Sequence, residues 1–334
     1  MQIITRASEY LDPDRKIPMI APYVPDVRVS ILAETEDYNH KLMNIPHMWK
    51  STMGSGIKVA VLDTGLPQHV DIAPIGGKSF TGDGYLIDEN GHASHVGGIV
   101  AAIANNGMGV RGIAPDCEDY YGAVLGADGS GSVNSIIAGI RWAVDVVGAD
   151  VINMSLGIPA SVARVKALEQ ACDYAVSQGV AVVAAAGNEG GKVGQPAVFD
   201  SVIAVAAVDR NAKHANFSNI GGEVDFAAGG VNVFSTYLNN TYSRMSGTSM
   251  ACPALAGVAA LILSDALNGP DPRKLTPGEL VDKLKKISYD VGSNGFDAMT
   301  GNGIPVFGNT GQNQIAANRT AWRRLISWVS RLFA

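Results

Sequence analysis

Four short runs rich in valine, alanine and isoleucine, at residues 57–63, 150–156, 180–187 and 202–208, alternate with longer stretches of helical character. Such runs are apolar at successive positions, so both faces of each strand must be covered. Helices supply that cover: apolar residues recur at helical spacing over 136–147 and 162–177, and 276–287 opens with Thr276-Pro277-Gly278-Glu279, a helix start signal. The expected fold is α/β and doubly wound, a mostly parallel central sheet with helices on both faces. A chain of 334 residues with 47% apolar content can bury a large core and fits one catalytic body with appendages.

The two ends read differently from that body. Residues 1–40 hold Pro13, Pro18, Pro22 and Pro25, which break any long helix, and read as an N-terminal arm or prosegment. The catalytic domain is expected over 41–312. Residues 313–334 form a separate basic tail: 319–334 has four arginines, no acid and an apolar face containing Trp322, Leu325, Val329 and Phe333. Such a helix suits an anionic membrane surface, a docking partner or the protein's own body equally well.

A net charge of -6 lacks the basic face that phosphate tracking needs, so no nucleic-acid partner is expected. Cys117, Cys172 and Cys252 are too few for a disulfide framework and read as buried thiols. Arg6, Glu9, Asp12, Asp14, Arg15 and Lys16 interrupt any apolar signal region, and no run is expected to approach the roughly 18 apolar residues of a membrane span, so the localisation expected is cytoplasmic.

Serine-dependent acyl transfer needs an exposed hydroxyl, a base to take its proton and a buried carboxylate to orient the base. Asp63 ends the apolar strand Val59-Ala60-Val61-Leu62, where its carboxylate emerges at the carboxyl edge of the sheet or simply caps a turn. His92 and His95 both lie in the first turn of a helix, in Asn90-Gly91-His92-Ala93-Ser94-His95; either can be the base, and no standard metal set accompanies them. Ser249, in Ser246-Gly247-Thr248-Ser249-Met250-Ala251-Cys252-Pro253, has small neighbours and a helix expected to have Pro253 in its first turn; an N-cap is the plainer role. Asn188, after Ala184-Ala185-Ala186-Gly187, can donate to an oxyanion or occupy a left-handed turn.

In the order Asp, His, Ser, with the asparagine loop between, these motifs resemble the subtilisin-like serine proteases over about residues 41–308. The resemblance implies a serine endopeptidase in which Asp63, His92 and Ser249 form the triad, Asn188 is the oxyanion donor and His95 is structural. It implies protein or peptide substrates held extended between the segment with Gly126, Gly129 and Gly131 and the segment Ser155, Leu156 and Gly157. Gly194 would floor the primary pocket, with Glu189 at its rim. It implies structural Ca2+ bound by Asp71, Asn106 and the carbonyls of Ala104, Met108 and Val110, with Glu34 and Glu36 as further candidates by position. An Asn-Gly turn without metal is the alternative. Met19-Ile20-Ala21-Pro22-Tyr23-Val24 is similar to the short prosegment motif of the intracellular members, which implies a zymogen whose own N-terminal segment acts as intramolecular inhibitor and is removed near residues 25–40. Ala93, Cys252 and Ala254 depart from the family's common residues, and none is a catalytic group. Cys252, three residues beyond the nucleophile, is expected to be either reactive toward thiol reagents or inert through burial.

Overall fold

The computed structural model describes residues 12–20, 33–82 and 84–308; the basic tail expected over 313–334 lies outside the described residues. In chain order the first half contains β1 (Ile17–Pro18), α1 (Tyr38–Leu42), α2 (Ile45–Met48), β2 (Lys58–Asp63), β3 (Gly76–Ser79), α3 (His92–Ala101), β4 (Glu118–Ala123), β5 (Ser130–Gly131) and α4 (Val133–Trp142). There follow β6 (Val151–Met154), α5 (Lys166–Ser177), β7 (Ala181–Ala185), β8 (Ile203–Val208), β9 (Phe226–Gly229), β10 (Val233–Tyr237) and β11 (Thr241–Met245). The described body ends with α6 (Thr248–Asn268), α7 (Pro277–Ile287), β12 (Ser288–Tyr289) and β13 (Ile304–Pro305).

Seven strands make one parallel sheet in the order β3-β4-β2-β6-β7-β8-β9. The order reverses at β2, so the crevice beyond its carboxyl end is where such a sheet places a ligand. Val59, Ala60, Val61 and Leu62 of β2 are wholly buried, each large aliphatic side chain contributing about 1.5–3 kcal/mol. One face is covered by α6 with α3, the other by α4 and α5. The doubly wound α/β architecture expected from the apolar runs is the one observed.

By length and composition α6 is apolar enough to cross a membrane, contrary to the expectation of no such run, yet 83% of its most apolar window is buried inside the body. It packs on β6, β7, β8 and β9. It also begins at Thr248, placing Ser249 inside its first turn and Pro253 beyond it. Helix α5 starts at Lys166 rather than 162: Val165 is extended, and the Gln195 side chain holds the segment before the helix, its Oε1 accepting from the Val165 amide (2.6 Å) and its Nε2 donating to the Ala163 carbonyl (3.2 Å).

Residues 33–40 belong with the arm by composition, but they are fastened to the body. Thr35 bridges to Val110, Arg111 pairs with Glu34 and Glu36, and Asp37 caps α1 while accepting from the Phe234 amide (3.0 Å).

Candidate active site

Strand β2 carries Asp63 to the carboxyl edge of the sheet, where its carboxylate is wholly buried. Helix α3 begins at His92, and Nδ1 of that ring lies 2.8 Å from Oδ1 and 2.9 Å from Oδ2 of Asp63. The Thr64 amide also donates to Asp63 Oδ1 (2.7 Å), so the carboxylate is a fixed acceptor for an Nδ1–H tautomer. The helix can start there because Gly91, at φ 92°, turns the chain in the left-handed region with the Tyr237 ring too close for any side chain.

His95 does not compete for that place. Its Nε2 faces the carbonyls of Val233 and Ser243 on the β10–β11 hairpin, each at 3.1 Å. Burial pushes its pKa down to about 3, so it stays neutral.

Ser249 stands in the first turn of α6, whose leading N–H groups have no intrahelical acceptor. Its hydroxyl donates to the Ser155 carbonyl (3.1 Å). Beside it, Asn188 Oδ1 accepts from the Thr248 amide (2.8 Å) and Thr248 hydroxyl (3.0 Å), an arrangement that fixes the amide plane with Oδ1 engaged. Sequence reasoning did not place Thr248 in the site; its position directly before the serine was the only available signal.

Residues of the arm occupy the groove. Ile17 pairs antiparallel with Gly131 and Pro18 with Ser130, the Met19 amide donates to the Gly129 carbonyl (3.2 Å), and the Gly157 amide donates to the Met19 carbonyl (2.7 Å). Residues 17–19 thus lie between the Gly129–Gly131 segment and Gly157, bonded to both through backbone atoms. Leu156 and Gly157 line the pocket next to Ser249 together with Met19 and Ile20, and the space left there is only about 30 Å³. The Gly126 amide closes a turn to the Ser130 carbonyl (2.8 Å). A side chain on Gly194 would strike the Ile158 carbonyl, so the pocket wall needs glycine there. Glu189 lines the same pocket, with Oε2 accepting from Asn219 (2.7 Å) and from the Asn188 amide (3.1 Å).

The subtilase family model matches residues 54–303. The chain belongs to the subtilase family. It is 50% identical to Subtilisin DY of Bacillus licheniformis over 218 residues, 63% of this chain and 78% of that protein. It is 46% identical to M-protease of Shouchella clausii (strain KSM-K16) over 248 residues, 73% of this chain and 64% of that protein. Subtilisin Savinase of Lederbergia lenta is 51% identical over 211 residues, 63% of this chain and 77% of that protein. This subtilase is a serine endopeptidase.

The loop from which the resemblance implies calcium binding curls around Asp71. This carboxylate is wholly buried, and burial raises its pKa. Oδ1 accepts from Asn106 Nδ2 (2.5 Å) and Oδ2 from the Val110 amide (2.9 Å) and Tyr242 hydroxyl (3.2 Å). Among the described residues no donor reaches the carbonyls of Ala104, Met108 or Val110. An all-oxygen shell from these groups fits a hard cation, provided Asn106 turns its oxygen inward. Glu34 reaches the loop through the Asn106 amide (3.2 Å), whereas Glu36 turns to Arg111.

Cys252 is buried, its thiol donates to Asn153 Oδ1 (3.2 Å), and burial pushes its pKa up. Of the two expectations for this thiol, the inert one fits.

Proposed function

We propose that this subtilase cleaves extended polypeptides through an acyl-enzyme on Ser249, with Asp63, His92 and Asn188 as the groups that carry the chemistry. The observation that carries the reading is the two-oxygen contact of the buried Asp63 carboxylate with His92 Nδ1. His92 Nε2 takes the Ser249 proton as Oγ attacks the scissile carbonyl, then gives it to the leaving amine. Asn188 Nδ2 and the Ser249 amide stabilise the tetrahedral anion. Water, deprotonated through His92, releases the acid product. Backbone pairing with Gly129, Gly131 and Gly157 selects extended chain rather than a particular side chain.

The enzyme is made as a zymogen in which residues 17–20 lie in the substrate groove. The burial of Met19 and its backbone bonds on both sides support this. The fastening of Glu34, Thr35 and Asp37 to the body supports a cut upstream of residue 34. Calcium in the Asp71 loop would be structural: it would neutralise a buried carboxylate and tie the loop together, taking no part in the chemistry. A cytoplasmic site of action rests on the sequence alone, and cell fractionation tests it.

The deciding experiment follows casein hydrolysis by full-length protein and by Ser249→Ala, with mass spectrometry of the arm. Fragments from the parent alone, appearing after a lag that ends as the arm is cut, are expected. Equal hydrolysis by both proteins would overturn the assignment of Ser249.

A further inference from the structure

The carboxylate of Asp88 is buried, at 3% exposure, yet it touches none of the reacting groups. Its Oδ1 accepts from the Asn90 amide (3.0 Å), the Gly91 amide (2.9 Å) and the Thr64 hydroxyl (2.8 Å). Its Oδ2 accepts from the Ser94 amide (2.8 Å) and the Ser94 hydroxyl (2.7 Å). The Thr64 hydroxyl in turn accepts from the Ala93 amide (3.0 Å). Thr64 directly follows Asp63, while Gly91, Ala93 and Ser94 immediately surround His92. One carboxylate and one hydroxyl thus join the strand end that carries the acid to the helix turn that carries the base.

The helix itself makes this bridge necessary. Gly91 stands at the N-cap of α3 with no side chain to offer, so the first-turn amides need an acceptor from elsewhere. The β10–β11 hairpin holds the same turn from its carbonyl side, through Thr236 to the Ser94 carbonyl (2.6 Å) and Ser235 to the His95 carbonyl (2.8 Å). Those bonds limit how far the turn moves from the hairpin; they say nothing about its distance from β2. Among the described residues, the hydrogen bonds through Asp88 and Thr64 refer the backbone on either side of His92 to the residue next to Asp63.

We propose that Asp88, acting with Thr64, is the positioning residue that sets the His92 ring on the Asp63 carboxylate. The proposal rests on the reading of His92 as the general base. Replacing Asp88 by Asn leaves side-chain volume nearly unchanged, but its nitrogen meets N–H donors. Replacing Thr64 by Val removes the hydroxyl while keeping the β-branched shape, and Thr64→Ser restores the hydroxyl.

Two readouts on the full chain separate positioning from general stability. In the Ser249→Ala protein, which cannot digest itself, NMR follows the His92 Nδ1 proton held between the ring and Asp63. Asp88→Asn and Thr64→Val are expected to shift that resonance and speed its exchange with water, and Thr64→Ser to leave it in place. In protein that retains Ser249, kcat on a peptide substrate is expected to fall about 10- to 100-fold for Asp88→Asn and Thr64→Val, with KM unchanged. Thr64→Ser is expected to retain the parent's kcat. A proton resonance unmoved in both variants overturns the proposal, as does a loss confined to KM. Should Asp88→Asn fail to fold, Thr64→Val against Thr64→Ser still decides it. A parent unable to hydrolyse peptide would strike the triad reading instead, while the NMR comparison would still judge the placement of the ring.

Discussion

Both oxygens of the Asp63 carboxylate lie within 2.9 Å of His92 Nδ1, and the acid is fully excluded from solvent. A carboxylate in that position holds the proton on Nδ1 and leaves Nε2 as the basic atom. Asp63→Asn keeps the size of the group but can present an N–H to Nδ1, which favours the wrong tautomer. At neutral pH we expect kcat to fall by about ten-thousand-fold with little change in KM. Steady-state hydrolysis of a chromogenic peptide by arm-cleaved enzyme measures it, and retention of near-parental kcat would remove Asp63 from the orienting role.

Asn188 is braced by Thr248 through its oxygen, which keeps the amide plane fixed before substrate arrives. Asn188→Ala should lower kcat by about a hundred- to a thousand-fold at constant KM, the magnitude that loss of the oxyanion-hole asparagine has in subtilisin itself. A drop in affinity without a drop in kcat would show that the side chain serves ground-state binding.

Met19 is 4% exposed, packed in the groove beside Ser249. An uncompensated charge there is expensive to bury, so Met19→Asp in the full-length chain should loosen the arm. The expected result is casein hydrolysis without the parent's lag and faster labelling of Ser249 by a fluorophosphonate. Identical lag and labelling rates would show that the docked strand does not restrain the enzyme.

Calcium bound to the Asp71 loop would stabilise the folded state by about 2.7 kcal/mol at a hundredfold excess over Kd. Thermal unfolding of the Ser249→Ala protein should therefore move to higher temperature with added calcium and back with chelator, and Asp71→Asn should abolish the response. A calcium response that survives Asp71→Asn would assign the ion to a different site.

His95 and Asp119 pull stability in opposite directions with pH. The His95 pKa is pushed by burial from 6.5 to about 3, so its contribution is complete above 6.5 and is lost as pH falls from there toward 3. Burial raises Asp119 to about 6 from 3.8, so its contribution is complete below 3.8 and is lost as pH rises toward 6. His95→Gln, whose amide can still donate to the hairpin carbonyls, removes only the first effect. Urea midpoints of the Ser249→Ala protein at pH 4.5 and 7, converted to free energy, should show His95→Gln raising stability at pH 4.5 relative to pH 7 by about 2–3 kcal/mol compared with the protein that keeps His95. An unchanged gap between the two pH values would mean that His95 does not control acid stability.

The parts most legible in the sequence were those encoded locally. Strands β7 and β8 are continuous apolar runs, β2 is one between Lys58 and Asp63, β6 is apolar but for Asn153, and α7 opens with the expected Thr276–Glu279 capping box. Strands β3 and β4 are hard to read because Gly-Gly-Lys-Ser and Glu-Asp-Tyr-Tyr-Gly-Ala carry neither an apolar run nor a clean alternation. Asp88 is hidden for a related reason: its capping role follows from the absence of a side chain at Gly91, and its link to Thr64 spans 24 residues.

By itself the sequence determined the class of chemistry, since a strand-end aspartate, a helix-start histidine pair, a serine among small residues and an asparagine loop follow one another in a fixed order. It also determined the sheet, because runs apolar on both faces must be covered on both. Local sequence left open which histidine meets Asp63; the family resemblance pointed to His92, and the tertiary structure supplies the physical reason. His92 and His95 lie three residues apart on one helix turn, and the β10–β11 hairpin captures the second while β2 presents its carboxylate to the first. The seating of Ile17–Pro18 in the groove and the fastening of Asp37 to Phe234 were likewise settled there. Contacts between residues more than a hundred positions apart depend on how the layers pack, and no local pattern of side chains records that.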